Sequence, residues 1–154
     1  MLDYSQISQD LFIGITPLSE DYPKLYKDGV RLVINMRFGQ KPHPSLSDEP
    51  LQFLWLKTFD NPFMLIPIKK LLTGVHAALG VISNGGKVYS HCAKGRHRSV
   101  AMGAAILIAQ GHTARDAMAL IKQMRPISDP DMFYIRSRIY LFERTWREMH
   151  PAIR

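Results

Sequence analysis

Apolar and polar positions along the chain divide it into short β-type runs followed by longer helical ones. Residues 4–8 and 11–15 form two short runs separated by Ser8-Gln9-Asp10, which predicts two strands joined by a turn. A short helix is expected over residues 19–27, ended by Asp28-Gly29. Val30-Arg31-Leu32-Val33-Ile34-Asn35 is β-branched and apolar, as a buried strand requires. Residues 37–50 contain Gly39, Pro42, Pro44 and Pro50 and read as a loop, and a strand follows at 51–57 before Thr58-Phe59-Asp60-Asn61-Pro62 breaks it. From Pro67 the positions Ile68, Leu71, Leu72, Val75, Leu79 and Ile82 step by three and four, the spacing of one helix face, up to Asn84-Gly85-Gly86.

Residues 87–90 predict another strand, and residues 99–109 a second apolar helix closed by Gly111. Thr113 with Asp116 has the spacing of a capping box for a helix over 114–124. Ser128 with Asp131, and Pro130 between them, has the same spacing for a helix reaching residue 149. On that helix Met132, Phe133, Ile135, Ile139, Phe142 and Trp146 are expected to face the core. Strands interleaved with helices and then helices alone predict an α/β domain, with a central, largely parallel, twisted sheet flanked by helices. At 154 residues the chain is read as one domain, 1–154.

Composition narrows the class. With 46% hydrophobic and 21% charged residues the chain is of ordinary globular type. The longest apolar run, residues 100–109, falls short of the roughly 20 residues of a membrane-spanning helix. The N-terminal Met1-Leu2-Asp3-Tyr4-Ser5-Gln6 lacks the basic and apolar regions of a secretory signal, so a cytoplasmic protein is expected. Cys92 has no second cysteine to pair with, which agrees with a reducing compartment. Charge is uneven: residues 1–86 hold 8 basic and 8 acidic residues, residues 87–154 hold 12 and 5, so the whole net charge of +7 lies in the second part. Such asymmetry suits an anionic partner. The basic half lacks the aromatic-plus-basic motifs of the common nucleic-acid modules, so no nucleic-acid partner is expected. His43, His76, His112 and His150 have no metal-ligand spacing, and neither a metal nor a cofactor is expected. Oligomeric state is not legible.

Chemistry concentrates between the strand at 87–90 and the helix from 99, in His91-Cys92-Ala93-Lys94-Gly95-Arg96-His97-Arg98-Ser99. In α/β sheets this position, where a strand ends and a helix begins, binds ligands, and the helix N-terminus favours an anion. Arg98, six residues after Cys92, can return its guanidinium to two oxygens of a phosphate. Lys94, Arg96, Arg98 and the helix N-terminus are expected to hold Cys92 as thiolate, a strong nucleophile. A His before the Cys with Gly, Arg and Ser at these spacings coincides by chance about once in ten thousand or less on average residue usage. Ser99 can donate to the sulfur and ease its departure.

His-Cys-x5-Arg-Ser between a strand and a helix resembles the signature of the cysteine-dependent protein tyrosine phosphatases, most closely their dual-specificity branch. The resemblance runs from about residue 5 to residue 146. It implies Cys92 as nucleophile, Arg98 as phosphate clamp, and Ala93, Lys94, Gly95, Arg96 and His97 as the backbone cradle. His91 would tune the thiolate and Ser99 would assist breakdown of a cysteinyl-phosphate intermediate. The family also uses an upstream Asp as general acid; Asp60, 32 residues before Cys92 and just after a strand, fits that order. Asp129-Pro130 resembles the acid of the low-molecular-weight tyrosine phosphatases, but those carry their cysteine loop at the start of the chain. Asp129 is therefore read as a helix cap, with Asp131 a third candidate.

The implied activity is hydrolysis of protein phosphotyrosine, with phosphoserine and phosphothreonine as further substrates. Lys94, Arg96 and His97 leave phosphoinositides, inositol phosphates or RNA 5′-phosphates open, since Gly-Arg-His-Arg is similar to the Gly-Lys-His-Arg of plant and fungal atypical phosphatases acting on inositol pyrophosphates. Arg98-Ser99-Val100 and Arg125-Pro126 match the protein-directed branch. A catalytically weak phosphate-binding module is the alternative of another class, and intact Cys92, Arg98 and Asp60 speak against it.

Overall fold

Val30–Arg37 and Lys87–Cys92 are the apolar strands at the middle of the sheet, and everything else is arranged about them. The computed structural model describes residues 1–41 and 50–151. The strands are β1 (Tyr4–Gln6), β2 (Leu11–Ile15), β3 (Val30–Arg37), β4 (Gln52–Thr58) and β5 (Lys87–Cys92). Their order is β1-β2-β5-β3-β4, with β1 antiparallel to β2 and every other pair parallel. The helices are α1 (Tyr22–Lys27), preceded by a 3-10 turn over Ser19–Asp21, then α2 (Ile68–Ser83), α3 (Arg98–Ala109), α4 (Ala114–Met124) and α5 (Phe133–Met149). The expected α/β architecture is the observed one. The central part of the expected loop at 37–50, with His43, lies outside the described residues.

Strand alternation sorts side chains between two cores. Leu11, Ile13, Leu32, Ile34, Met36, Val88 and Cys92 face the larger one with α2 to α5, while Phe12, Val33 and Tyr89 face a smaller one with Tyr22 and Leu25 of α1, joined by Val30 before the register shift between Val30 and Leu32. Helix α3 is buried along its length from Ser99 to Ile108, between the sheet and its neighbouring helices. That depth explains its all-apolar composition, since a helix surrounded by protein has no polar face to keep. It also makes the start of α3 a rigid platform, and that start carries Arg98 and Ser99.

Two capping expectations change. Thr113 accepts from the Asp116 amide at 3.1 Å, but only this half of the α4 box forms, and Glu143 of α5 accepts from the Ala114 amide. Helix α5 begins at Phe133, after Met132, with no side-chain cap from Ser128, Asp129 or Asp131. The cause is tertiary: the Asp129 amide donates to the Arg96 carbonyl at 3.0 Å, and Arg96 Nε donates to the Ile127 carbonyl at 3.0 Å. The segment before α5 is thereby pinned to the cysteine loop, and Ser128 is buried with its hydroxyl toward the Ile121 carbonyl. Ile135, Ile139 and Phe142 are core as expected and Met132 and Trp146 pack against it, but Phe133 is exposed.

Two glycines of α2 differ in what surrounds them. A Cβ on Gly74 would land on Met102 Sδ of α3 and 3.1 Å from Leu56 Cδ1, whereas nothing lies within 4 Å of one on exposed Gly80. Gly80→Ala is expected to stabilise the fold by about 0.5–1 kcal/mol through helix propensity. Gly74→Ala is expected to destabilise it by about 1–3 kcal/mol through overpacking. Urea unfolding of both variants measures the difference in sign.

Candidate active site

The loop after β5 closes on itself because both of its ends are held. Cys92 ends a central strand opposite Ile15 of β2, and its carbonyl accepts from Thr16 Oγ1 at 3.2 Å. Six residues on, Arg98 opens α3 and its Nη1 donates to the Thr58 carbonyl at 2.9 Å, with the Met36 carbonyl at 3.5 Å. Those carbonyls lie at the ends of β4 and β3. Gly95 takes a left-handed φ of +63° at the top of the turn, where a Cβ would strike Gly14 of β2 at 2.8 Å and Arg125 Nη2 at 2.7 Å. A side chain there is strained in backbone and blocked in space.

Arg125 supports the loop from behind. It is buried, and its Nε donates to the Gly95 carbonyl at 2.8 Å and Nη2 to the Lys94 carbonyl at 3.3 Å. Asp3 of the N-terminal segment neutralises it through two contacts at 3.1 and 3.2 Å, and Ser5 Oγ accepts at 3.1 Å. Sequence reasoning placed Arg125 only as part of a dipeptide and missed this role. A buried Arg between Met124 and Pro126 has no local signal.

Cys92, Ala93, Lys94, Arg96, His97, Arg98 and Asp60 line one pocket of about 160 Å³. The structure thus brings the expected nucleophile, clamp and acid to one place. Cys92 is buried, with its Sγ 3.1 Å from Ser99 Oγ. Burial pushes the thiol up, but the Ser99 hydroxyl and amide, the Arg98 guanidinium and the His97 amide outweigh it, and the thiol lies below its ordinary value. Arg98 is thus the cation that acts on the sulfur. Arg96 was expected to share this work, yet its guanidinium turns away to Ile127, and Lys94 is exposed. Arg98 Nε is buried with no partner among the described residues, a donor left over for an oxyanion.

His91 is buried on the face of β5 opposite Cys92, its ring tilted against Tyr89 at 5.9 Å. The His97 ring faces Asp60: Nδ1 lies 3.1 and 3.0 Å from the two oxygens of its carboxylate. Tyr134 of α5, which sequence reasoning did not single out, donates its hydroxyl to Asp60 Oδ1 at 2.5 Å. Burial raises the Asp60 carboxyl, but Tyr134, His97 and Arg98 together bring it below the ordinary carboxylate value. Burial and Asp60 in turn push the Tyr134 phenol up to about 12. Asp129 was read as a cap and instead lies beside His97, Oδ2 at 3.7 Å from Nε2.

No protein-family model matches the sequence. Dual specificity phosphatase 28 of Mus musculus is 26% identical over 132 residues, covering 84% of this chain and 77% of that protein. The crystal structure of human DUSP28 superposes with a TM-score of 0.82 at 21% identity, over 94% of this chain and 95% of that one. PTPMT1 in complex with PI(5)P has the same fold, with a TM-score of 0.82 at 24% identity, over 95% and 97%. In its His-Cys-x5-Arg-Ser loop, its sequence and its fold the chain is similar to the dual-specificity branch of the cysteine-dependent tyrosine phosphatases. It is a cysteine-based phosphatase.

With a single cysteine, alkylation reads Cys92 alone. Its rate is expected to rise with pH through a midpoint below the roughly 8.5 of a free thiol. Ser99→Ala removes a donor to the sulfur and is expected to move that midpoint upward, measured by iodoacetamide inactivation across pH. Arg125→Met leaves the Gly95 and Lys94 carbonyls without their donor, and is expected to cost about 2–4 kcal/mol in unfolding free energy and to lower turnover.

Proposed function

We propose that this chain is a single catalytic domain that hydrolyses phosphomonoesters of proteins through a cysteinyl-phosphate at Cys92, without a metal. Its proposed substrates are phosphotyrosine, then phosphoserine and phosphothreonine. The observation that carries the reading is the joint lining of one small pocket by Cys92, Arg98 and Asp60. The free thiol fits a reducing compartment such as the cytoplasm, where a low-lying thiolate escapes oxidation.

In this reading the amides of residues 93–97 and the free donors of Arg98 hold the phosphate oxygens. The Cys92 sulfur attacks phosphorus, the bond to the ester oxygen breaks, and a proton delivered through Asp60 goes to that oxygen. Asp60 is held ionised in the free site. A bound phosphate dianion opposes that charge and favours a proton on the carboxyl. Water then attacks phosphorus, Asp60 accepts its proton, and the sulfur leaves as a thiolate stabilised by Ser99 and Arg98. His91, buried on the opposite face of β5, would tune the thiolate from there.

A second reading keeps the chemistry and changes the substrate to phosphoinositides, inositol phosphates or RNA 5′-phosphates. It is favoured by exposed Lys94 and Arg96, which also border a hollow of about 660 Å³ next to the pocket together with Lys122. The PI(5)P complex of the PTPMT1 fold supports it by likeness alone.

Cys92→Ser is expected to abolish turnover yet still bind vanadate, and Arg98→Lys to lose affinity and rate because an ammonium cannot form the planar fork. Asp60→Asn is expected to slow esters with poor leaving groups by about a hundredfold to ten-thousandfold and aryl esters with good ones less. If Asp129→Asn shows that pattern and Asp60→Asn does not, the acid is misassigned. A panel in EDTA of phosphotyrosine peptides, phosphoserine peptides, phosphoinositides, inositol phosphates and 5′-phosphorylated RNA decides the substrate. A non-protein substrate at least about tenfold better in kcat/KM than any peptide, about 1.4 kcal/mol in transition-state binding, overturns the protein reading.

A further inference from the structure

Asp60 and Asp129 competed in sequence for the same role, and the fold puts them at opposite nitrogens of one ring. His97 Nδ1 meets both oxygens of Asp60 at 3.1 and 3.0 Å. Nε2 is buried, makes no hydrogen bond among the described residues, and faces Asp129 Oδ2 at 3.7 Å. Asp129 is fixed in place by its amide bond to the Arg96 carbonyl. An imidazole offers a donor at both nitrogens only as the imidazolium, the form that two facing carboxylates match. Among the described residues, the charged or titratable groups set against His97 are two carboxylates, which favour a proton on the ring, together with a phenol, a guanidinium and the thiol. Asp60 comes from the loop after β4 and Asp129 from the segment before α5. Tyr134 of α5 places its ring 6.0 Å away, Arg98 follows in the chain, and the Cys92 sulfur accepts the His97 amide.

We infer that His97 is the positioning residue of the general acid, holding on Nδ1 the proton that reaches the leaving group through Asp60. The inference rests on the reading of Asp60 as the acid. With the ester oxygen against Asp60, the proton passes from Nδ1 to the carboxylate and on to that oxygen as the phosphorus–oxygen bond breaks. The step leaves a neutral imidazole, an Asp60 carboxylate, the alcohol and the cysteinyl-phosphate. In the second step the attacking water gives a proton to Asp60 and thence to Nδ1, which restores the imidazolium, so no co-reactant is needed. Tyr134 stays a donor throughout and fixes the second lone pair of Oδ1. The ring of His97 is spent on the acid, which removes it from the residues expected to select substrate.

The test compares the native enzyme with His97→Asn, Asp60→Asn and the double variant, on an alkyl phosphate and on an aryl phosphate with a good leaving group. Asparagine keeps a donor to Asp60 but cannot deliver a proton at these pH values. His97→Asn is expected to lose at least about tenfold in kcat/KM on the alkyl ester and less than about threefold on the aryl ester. The double variant is expected to be no slower than Asp60→Asn alone, because both changes break the same proton path. The basic limb of the pH profile on the alkyl ester is expected to move to lower pH in His97→Asn, since the carboxyl alone holds the proton less well than the pair. Unchanged vanadate binding confirms that the loop is intact in each variant. Multiplying losses in the double variant, an equal loss on both esters, or an unmoved basic limb overturns the inference while leaving Asp60 as the acid. If Asp60→Asn itself shows no leaving-group dependence, the underlying reading falls and takes this one with it.

Discussion

Arg98 stands at the first position of a fully buried helix and reaches the carbonyls at the ends of two other strands, so one side chain joins β3, β4 and β5. The Thr58 carbonyl takes the shorter of the two bonds, while the Met36 carbonyl also accepts from Thr58 Oγ1, and a hydrogen bond from a charged donor is worth about 1.5–3 kcal/mol. The contact fixes the plane of the guanidinium before any ligand arrives, with Nε still free. It also fixes the distance across the loop, because Cys92 and Arg98 are then anchored to the same sheet edge. A phosphate site built in this way requires little reorganisation at the moment of reaction, which is where electrostatic catalysis gains its size.

The rest of the site follows from what a buried sulfur anion requires. Desolvation alone would raise the Cys92 thiol, and the donors that bring it below its ordinary value are the Ser99 hydroxyl, the amides of Ser99 and His97, and Arg98. All belong to the end of the loop and the first turn of α3, so the placement of α3 sets the surroundings of the sulfur. Behind the loop Arg125 does for the Lys94 and Gly95 carbonyls what Arg98 does for Thr58 and Met36. The positive charge concentrated after residue 86 thus divides into cations with separate tasks. Arg98 serves the sulfur, Arg125 the loop, and exposed Arg147 pairs at 3.3 Å with Glu143, which also accepts from the Ala114 amide.

What was legible in sequence was whatever depends on local spacing. The apolar steps of α2, its end at Asn84-Gly85, the strand from Val30 and the spacing of Cys92, Arg98 and Ser99 each carry their reason in neighbouring residues. Asp60 was legible through its place after a strand. The start of α5 was not, because the cap expected from Ser128 and Asp131 was overridden by two bonds that tie Ile127 and Asp129 of the same segment to Arg96, about 30 residues away in sequence. Tyr134 and Arg125 were missed for the same reason, as their partners Asp60, Gly95 and Asp3 are remote along the chain. The direction of the His97 ring was not legible, because composition shows only a potential cation in the loop, whereas packing turns it toward two carboxylates.

The claim on which this account turns is that phosphorus is bonded to Cys92 between two displacements. The stereochemical course at phosphorus tests it without needing the intermediate to accumulate. A phosphomonoester made chiral with oxygen isotopes, turned over to a known product configuration, reports the number of in-line steps. Two displacements, by sulfur and then by water or an acceptor alcohol, give net retention, which is the result expected here. Net inversion would mean a single direct attack, and would remove Cys92 from the reaction path.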